Sequence, residues 1–124
     1  MIVTGSIFMA LAVAFGAFGA HIVQDILTPD RFEVYKTGVE YHFYHAIGLL
    51  FLGVITIKIP ESKWLEWSGY CLISGIIIFS GSLYALTLAD TGWLGAVTPI
   101  GGIAFIFGWI FLVIGVLKAD ISVD

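Results

Sequence analysis

Polar and charged positions in this chain are gathered into a few short stretches, and long apolar runs lie between them. Uncharged runs extend from Ile2 to Ala20, Tyr41 to Ile57, Trp67 to Ala89 and Thr91 to Leu117. A helix needs about 20 such residues to cross the hydrocarbon core of a bilayer. The pattern predicts an all-α polytopic membrane protein: an antiparallel bundle of four transmembrane helices in one domain covering 1–124. The spans are expected at about 3–23, 40–58, 64–89 and 95–118.

The connections carry their own signals. Thr28-Pro29-Asp30 reads as a helix start, with Thr28 as N-cap, Pro29 in the first turn and Asp30 at the positive end of the dipole. A short interfacial helix is therefore expected at about 29–37, between spans one and two, with Gly38 as a bend. Lys58 and Pro60 end span two, and Ile59 to Lys63 form a tight turn. Trp64, Trp67 and Tyr70 then form an interfacial belt at the start of span three. Lys118, Asp120 and Asp124 make a polar tail. Ala17-Phe18-Gly19 resembles a small-x-small cleavage site, but no Lys or Arg precedes the run, so a retained first span is expected.

Small residues predict where helices touch. Ala10, Ala14 and Ala17 share a stripe on span one that ends at His21, and such stripes allow close approach in a membrane. Gly101, Gly108 and Gly115 repeat every seven residues and form a seam expected to face another helix. Phe15-Gly16-Ala17-Phe18 and Phe79-Ser80-Gly81-Ser82 echo each other too faintly to be a repeat.

Composition narrows the class. The chain has 124 residues, 60% hydrophobic and only 11% charged, against about 25% charged in a typical soluble domain. The net charge of −4, with no basic patch, excludes a nucleic-acid surface. Cys71, the one cysteine, lies inside span three, where a lone thiol serves packing.

Candidate chemistry sits at one end. Antiparallel threading makes the end of span one, the start of two, the end of three and the start of four coplanar. His21, Glu40, Tyr41, His45, Ser80, Ser82, Tyr84 and Thr98 therefore share one half of the bilayer, while the other half is polar only at its surface. Lys58, Lys63, Lys118 and the Met1 amine lie on one side, and Arg31 and Lys36 on the other. The positive-inside rule then places both termini in the cytoplasm of a cell (plasma or inner) membrane, with the polar half outward.

Five ordered motifs carry a resemblance over nearly the whole chain. They are Gly16-Ala17-Phe18-Gly19-Ala20-His21, Thr37-Gly38-x-Glu40-Tyr41-x-x-x-His45-Ala46, Phe79-Ser80-Gly81-Ser82-Leu83-Tyr84, Thr98-Pro99-x-Gly101-Gly102 and Gly108-Trp109. The chain resembles the domain-of-unknown-function 423 family, small four-helix inner-membrane proteins related to eukaryotic transmembrane protein 256. The resemblance implies the fold and supplies no activity. It also implies that His42, where relatives often carry glutamine, is a weaker candidate than His21 or His45.

An ionisable residue within a membrane is a functional candidate by default, yet His21 and His45 lie within a turn or two of water. Hydrogen bonds to a serine, a tyrosine or a backbone carbonyl would satisfy both. At least one of them is expected to bond a group on another helix, because an unpartnered buried polar atom costs about 1–3 kcal/mol. A metal is not expected: His42-x-x-His45 is a weak motif, and Glu40 lies about 140° around the helix from His45. Ser80 or Ser82 with a histidine base lacks the nucleophile elbow of a hydrolase. The expected reading is a non-catalytic, cofactor-free protein whose polar end packs lipid, a membrane protein partner or further copies of itself. The alternative is small-molecule, ion or proton handling by the cluster in an oligomer.

Overall fold

Residues at alternating spacings of three and four run along the second helix. Tyr35, Gly38, His42, His45, Leu49 and Leu52 are all buried, the pattern of a helix that offers one seam to its neighbours. In the computed structural model, which describes residues 1–119, this helix stands at the centre. Asp120 and Asp124 of the expected polar tail lie outside the described residues.

Four long helices follow one another: α1 (Ile2–Ile26), α2 (Pro29–Lys58), α3 (Lys63–Leu88) and α4 (Thr98–Leu117), the last preceded by a 3₁₀ turn at Gly92–Ala96. The four are long and apolar enough to cross a membrane, and no strand occurs among the described residues. Two devices set the ends of α3. The Ser62 side chain accepts from the Leu65 N–H at 3.4 Å at its start. Past its end, Asp90 takes a left-handed φ of 53°, which its short polar side chain tolerates better than a branched one.

The helices pack as two close antiparallel pairs. On α1, Gly5, Ala12 and Gly19 recur every seven residues and are buried. A Cβ on Gly5 would stand 3.0 Å from Leu50, and one on Gly19 would stand 2.6 Å from the Tyr35 ring. On α4, Gly101, Gly108 and Gly115 meet the Phe79 backbone, Leu72 and Leu65 of α3 in the same way. The glycine seam of span four therefore faces a helix, as its spacing predicted.

The small stripe of span one is different. Ala10, Ala14 and Ala17 are exposed, and Ala10 and Ala14 each lie two residues, about 160° of helix, from the buried Ala12. Both stripes are small enough to pack; the one that fits Leu50 and the Tyr35 ring is used.

The segment expected as a separate interfacial helix is helical but continuous with span two. α2 runs unbroken for 30 residues, about 45 Å at 1.5 Å per residue, so its first turns extend beyond a core of about 30 Å. Gly38 does not bend it. A Cβ there would meet the Tyr84 ring at 3.1 Å and Leu83 at 3.2 Å, so this glycine admits α3 rather than a turn.

Two cores result. Leu49, Leu52, Leu65, Leu72, Ile76 and Phe105 fill the half nearer Lys58 and Lys63, and Val23, Tyr35 and Tyr84 fill the other. Each odd-numbered helix also carries one π-turn, at Gly19–Val23 and at Ile76–Ser80. A π-turn rotates the residues beyond it, so α3 changes its buried face between Leu65/Leu72 and Ser80/Tyr84.

Candidate functional site

The polar half holds three separate clasps rather than one cluster. The first joins α2 to α3. The π-turn ends at Ser80, whose hydroxyl is buried and donates to the Gly38 carbonyl at 2.7 Å. One turn further on, the Tyr84 hydroxyl meets His42 Nδ1 at 3.0 Å. His42 is 3% exposed, with Phe8 and Phe15 of α1 against its ring. Its Nε2 is buried without a hydrogen-bond partner. Whichever ring nitrogen carries the proton, Nε2 has one bond unmade.

The second clasp joins α1 to α2. The Tyr35 hydroxyl donates to the Phe15 carbonyl at 2.6 Å, across the space left by Gly19. Phe15 in turn stacks on Tyr84 with ring centroids 4.4 Å apart and planes at 10°, so α1, α2 and α3 meet in one aromatic group.

The third joins α3 to α4. Ser82 and Thr98 hydroxyls are 2.6 Å apart, while Ser82 also donates to the Phe79 carbonyl at 2.9 Å. The Thr98 hydroxyl also lies 3.2 Å from the Leu94 carbonyl, so the two protons serve either the order Thr98 to Ser82 to Phe79 or the order Ser82 to Thr98 to Leu94.

His45 behaves differently from expectation. Its Nδ1–H donates to the Tyr41 carbonyl of its own helix at 2.7 Å, and its ring lies on Phe105 of α4 with centroids 3.4 Å apart and planes at 11°. Phe105 occupies the space opposite Gly75 of α3, so it is held between α2 and α3. Tyr41 stays partly exposed and packs on Phe79 with centroids 4.6 Å apart. His21 and Glu40 are exposed on the outer faces of α1 and α2.

The expected bond from His21 or His45 to another helix is therefore not made. His42, ranked below them by the resemblance, makes it. The reason is rotation about the helix: His42 and His45 both lie on the inward seam of α2, but only His42 points at α3 where Tyr84 arrives. Among the described residues no three His, Cys, Asp or Glu side chains converge as metal ligands.

Sequence reasoning used Arg31 only for orientation and missed its tie to α3. Its guanidinium donates to the Leu86 and Thr87 carbonyls at 3.1 and 2.8 Å, and pairs with Asp90 at 3.1 Å. A cation at the last carbonyls of α3 complements the negative end of the helix dipole. The bond ties the start of α2 to the end of α3 at the rim of the polar half. The signal for it was thin: a single arginine in a first turn, more than 50 residues from its acceptors.

Comparison with known proteins gives this arrangement its relatives. The model of a family described as "Protein of unknown function (DUF423)" matches residues 15–102, which include every clasp described above. The chain belongs to the DUF423 family. It is 41% identical over 117 residues to the UPF0382 membrane protein YwdK of Bacillus subtilis, covering 94% of this chain and 95% of that one. Identity is 44% to a UPF0382 membrane protein of Staphylococcus epidermidis, over 94% of each chain, and 43% to UPF0382 membrane protein SSP2132 of Staphylococcus saprophyticus, over 94% and 96%. No solved structure matches. The protein is thus a small four-helix membrane protein of a family whose function is unknown and for which no catalytic activity is indicated.

Proposed function

We propose that this DUF423 member is a non-catalytic bundle of the cell membrane that associates with lipid along its flanks. In this reading its outward polar residues hold helices together and process no substrate. The observation that carries the reading is the commitment of the hydroxyls. Tyr35, Ser80 and Ser82 each donate to a backbone carbonyl, and Thr98 and Tyr84 each meet a side chain of a neighbouring helix. A nucleophilic hydroxyl needs a base within reach; the bonds of Ser80 and Ser82 go elsewhere.

Both termini are assigned to the cytoplasm from Lys58, Lys63 and Lys118 at one end against Arg31 and Lys36 at the other. Cysteines introduced in the turn around Glu61 should resist an impermeant thiol reagent on intact cells, whereas ones near Pro29 should react; the reverse pattern inverts the assignment. The non-catalytic reading is tested by Ser80→Ala. Lower stability in detergent with no chemical phenotype supports it, and loss of an activity at unchanged stability overturns it.

One atom favours a second reading, proton or ion handling. His42 Nε2 is a buried titratable nitrogen without a partner in the polar half. Under that reading His42→Gln, which retains a neutral polar group, keeps the fold yet abolishes a pH-dependent flux in proteoliposomes. Equal flux in parent and variant rejects it.

A further inference from the structure

We infer that the flank between α3 and α4, at the end bearing Lys58, Lys63 and Lys118, binds one anionic phospholipid, its phosphate among the lysines and an acyl chain along the adjoining aromatic groove. The inference rests on the lipid-associating reading above and names the lipid class and the place.

The groove comes first. A cleft of about 700 Å³ runs along α3 and α4, walled by Trp64, Trp67, Cys71, Ala104, Phe107 and Phe111. Its volume falls within the range of clefts that hold small molecules, about 300–1,000 Å³. Its walls are almost wholly apolar, and Trp67 and Phe107 face outward at 58% and 48% exposure, so an acyl chain can enter sideways from the bilayer.

The charges lie at its mouth. Lys63 and Trp64 also line a second recess of about 610 Å³, which adds Lys58, Ser62 and Lys118, with Glu61 the one carboxylate. Cleft and recess therefore adjoin at Lys63 and Trp64, which sets the cationic rim beside the aromatic wall. The Lys118 Nζ stands 4.9 Å from the Trp64 ring centroid, which fixes this lysine over the junction. Among the described residues no carboxylate lies within 4 Å of the three lysines; the ion pairs there belong to Arg31 and Lys36 at the other end. The start of α3 adds the positive end of its dipole. Basic pockets between transmembrane helices at the cytoplasmic side suit anionic headgroups.

A second copy fits less well. A two-fold axis along the membrane normal would bring both lysine sets to the same end of a symmetric interface, like charge against like charge.

The test uses the full chain, purified in non-ionic detergent and titrated with phosphatidylglycerol or phosphatidylcholine of matched chains, read by native mass spectrometry. One phosphatidylglycerol should be retained in preference to phosphatidylcholine. Replacing the lysines (K58Q, K63Q, K118Q) should weaken its retention about fivefold per lysine and leave phosphatidylcholine unchanged. Ala104→Trp, which fills the groove and alters no charge, should reduce retention as well, and it decides alone if the lysine variants fail to fold. Equal retention of the two lipids, phosphatidylglycerol binding that survives both sets of changes, or a dimer that excludes lipid overturns the site. Retention of neither lipid by the parent removes the lipid-associating reading along with it.

Discussion

In the half of the bundle near Lys58 and Lys63, Leu49, Leu52, Leu65 and Leu72 fill the interior and the glycines of α4 bring α3 into contact. In the opposite half, Tyr35, His42, Ser80 and Tyr84 occupy the equivalent inward positions, and hydrogen bonds cross between helices. Among the described residues the leucine half contains one such bond, from Ser68 to the Gly108 carbonyl at 2.7 Å. The contrast teaches that one heptad seam can run through both regimes. Without a hydrophobic drive between helices in lipid, shape complementarity holds one end and polar contacts hold the other. Each half is therefore sensitive to a different kind of substitution.

The largest effect is expected at the glycine seam. Gly101→Ala puts a methyl into the Phe79 backbone, which cannot swing away, and should cost about 1–3 kcal/mol in detergent unfolding. Gly108→Ala should cost less, because the atom it meets is the mobile end of Leu72. Equal melting of both variants and the parent would remove packing as the basis of the leucine half.

Arg31→Ala comes next, at about 1.5 kcal/mol, from two charge-assisted bonds to carbonyls. Asp90→Asn should change stability by less than ~0.5 kcal/mol, since the Asp90 side chain is 88% exposed and surface ion pairs contribute little. Hydrogen exchange should rise at the end of α3 in the first variant alone. A smaller loss, about 0.6 kcal/mol, is expected for Ser80→Ala, the typical size of an interhelical hydrogen bond in a membrane; no loss would mean that the Gly38 carbonyl needs no partner. Least of all, His21→Ala and Glu40→Gln should stay within about 0.5 kcal/mol of the parent, because both side chains point out of the bundle.

The helices were legible because four uncharged runs leave no other solution in a bilayer. The inward face of α2 was legible too, had the 3–4 spacing of Leu49 and Leu52 been continued through His45 and His42 to Tyr35. The resemblance, in which relatives often carry glutamine at position 42, instead favoured His45, whose Nδ1 is satisfied by its own helix. Span one was ambiguous in kind: it carries two stripes of small residues, and only the shapes of Leu50 and Tyr35 on α2 choose between them. The π-turns and the Arg31 tie were out of reach. A π-turn has no local signature comparable to a cap, and Arg31 finds its acceptors across 55 and 56 residues of chain.

The claim at the centre of this account is that the polar half is a set of interhelical clasps, and among the described residues the His42–Tyr84 hydrogen bond is the one that joins two side chains of α2 and α3. A double-mutant cycle with His42→Leu and Tyr84→Phe, followed by unfolding in detergent, measures it directly. The account predicts a coupling energy of about 0.6–1.7 kcal/mol, between the average and the maximum for such bonds in a membrane. Effects that add to within about 0.3 kcal/mol would mean that the two side chains merely share a depth, and would contradict it.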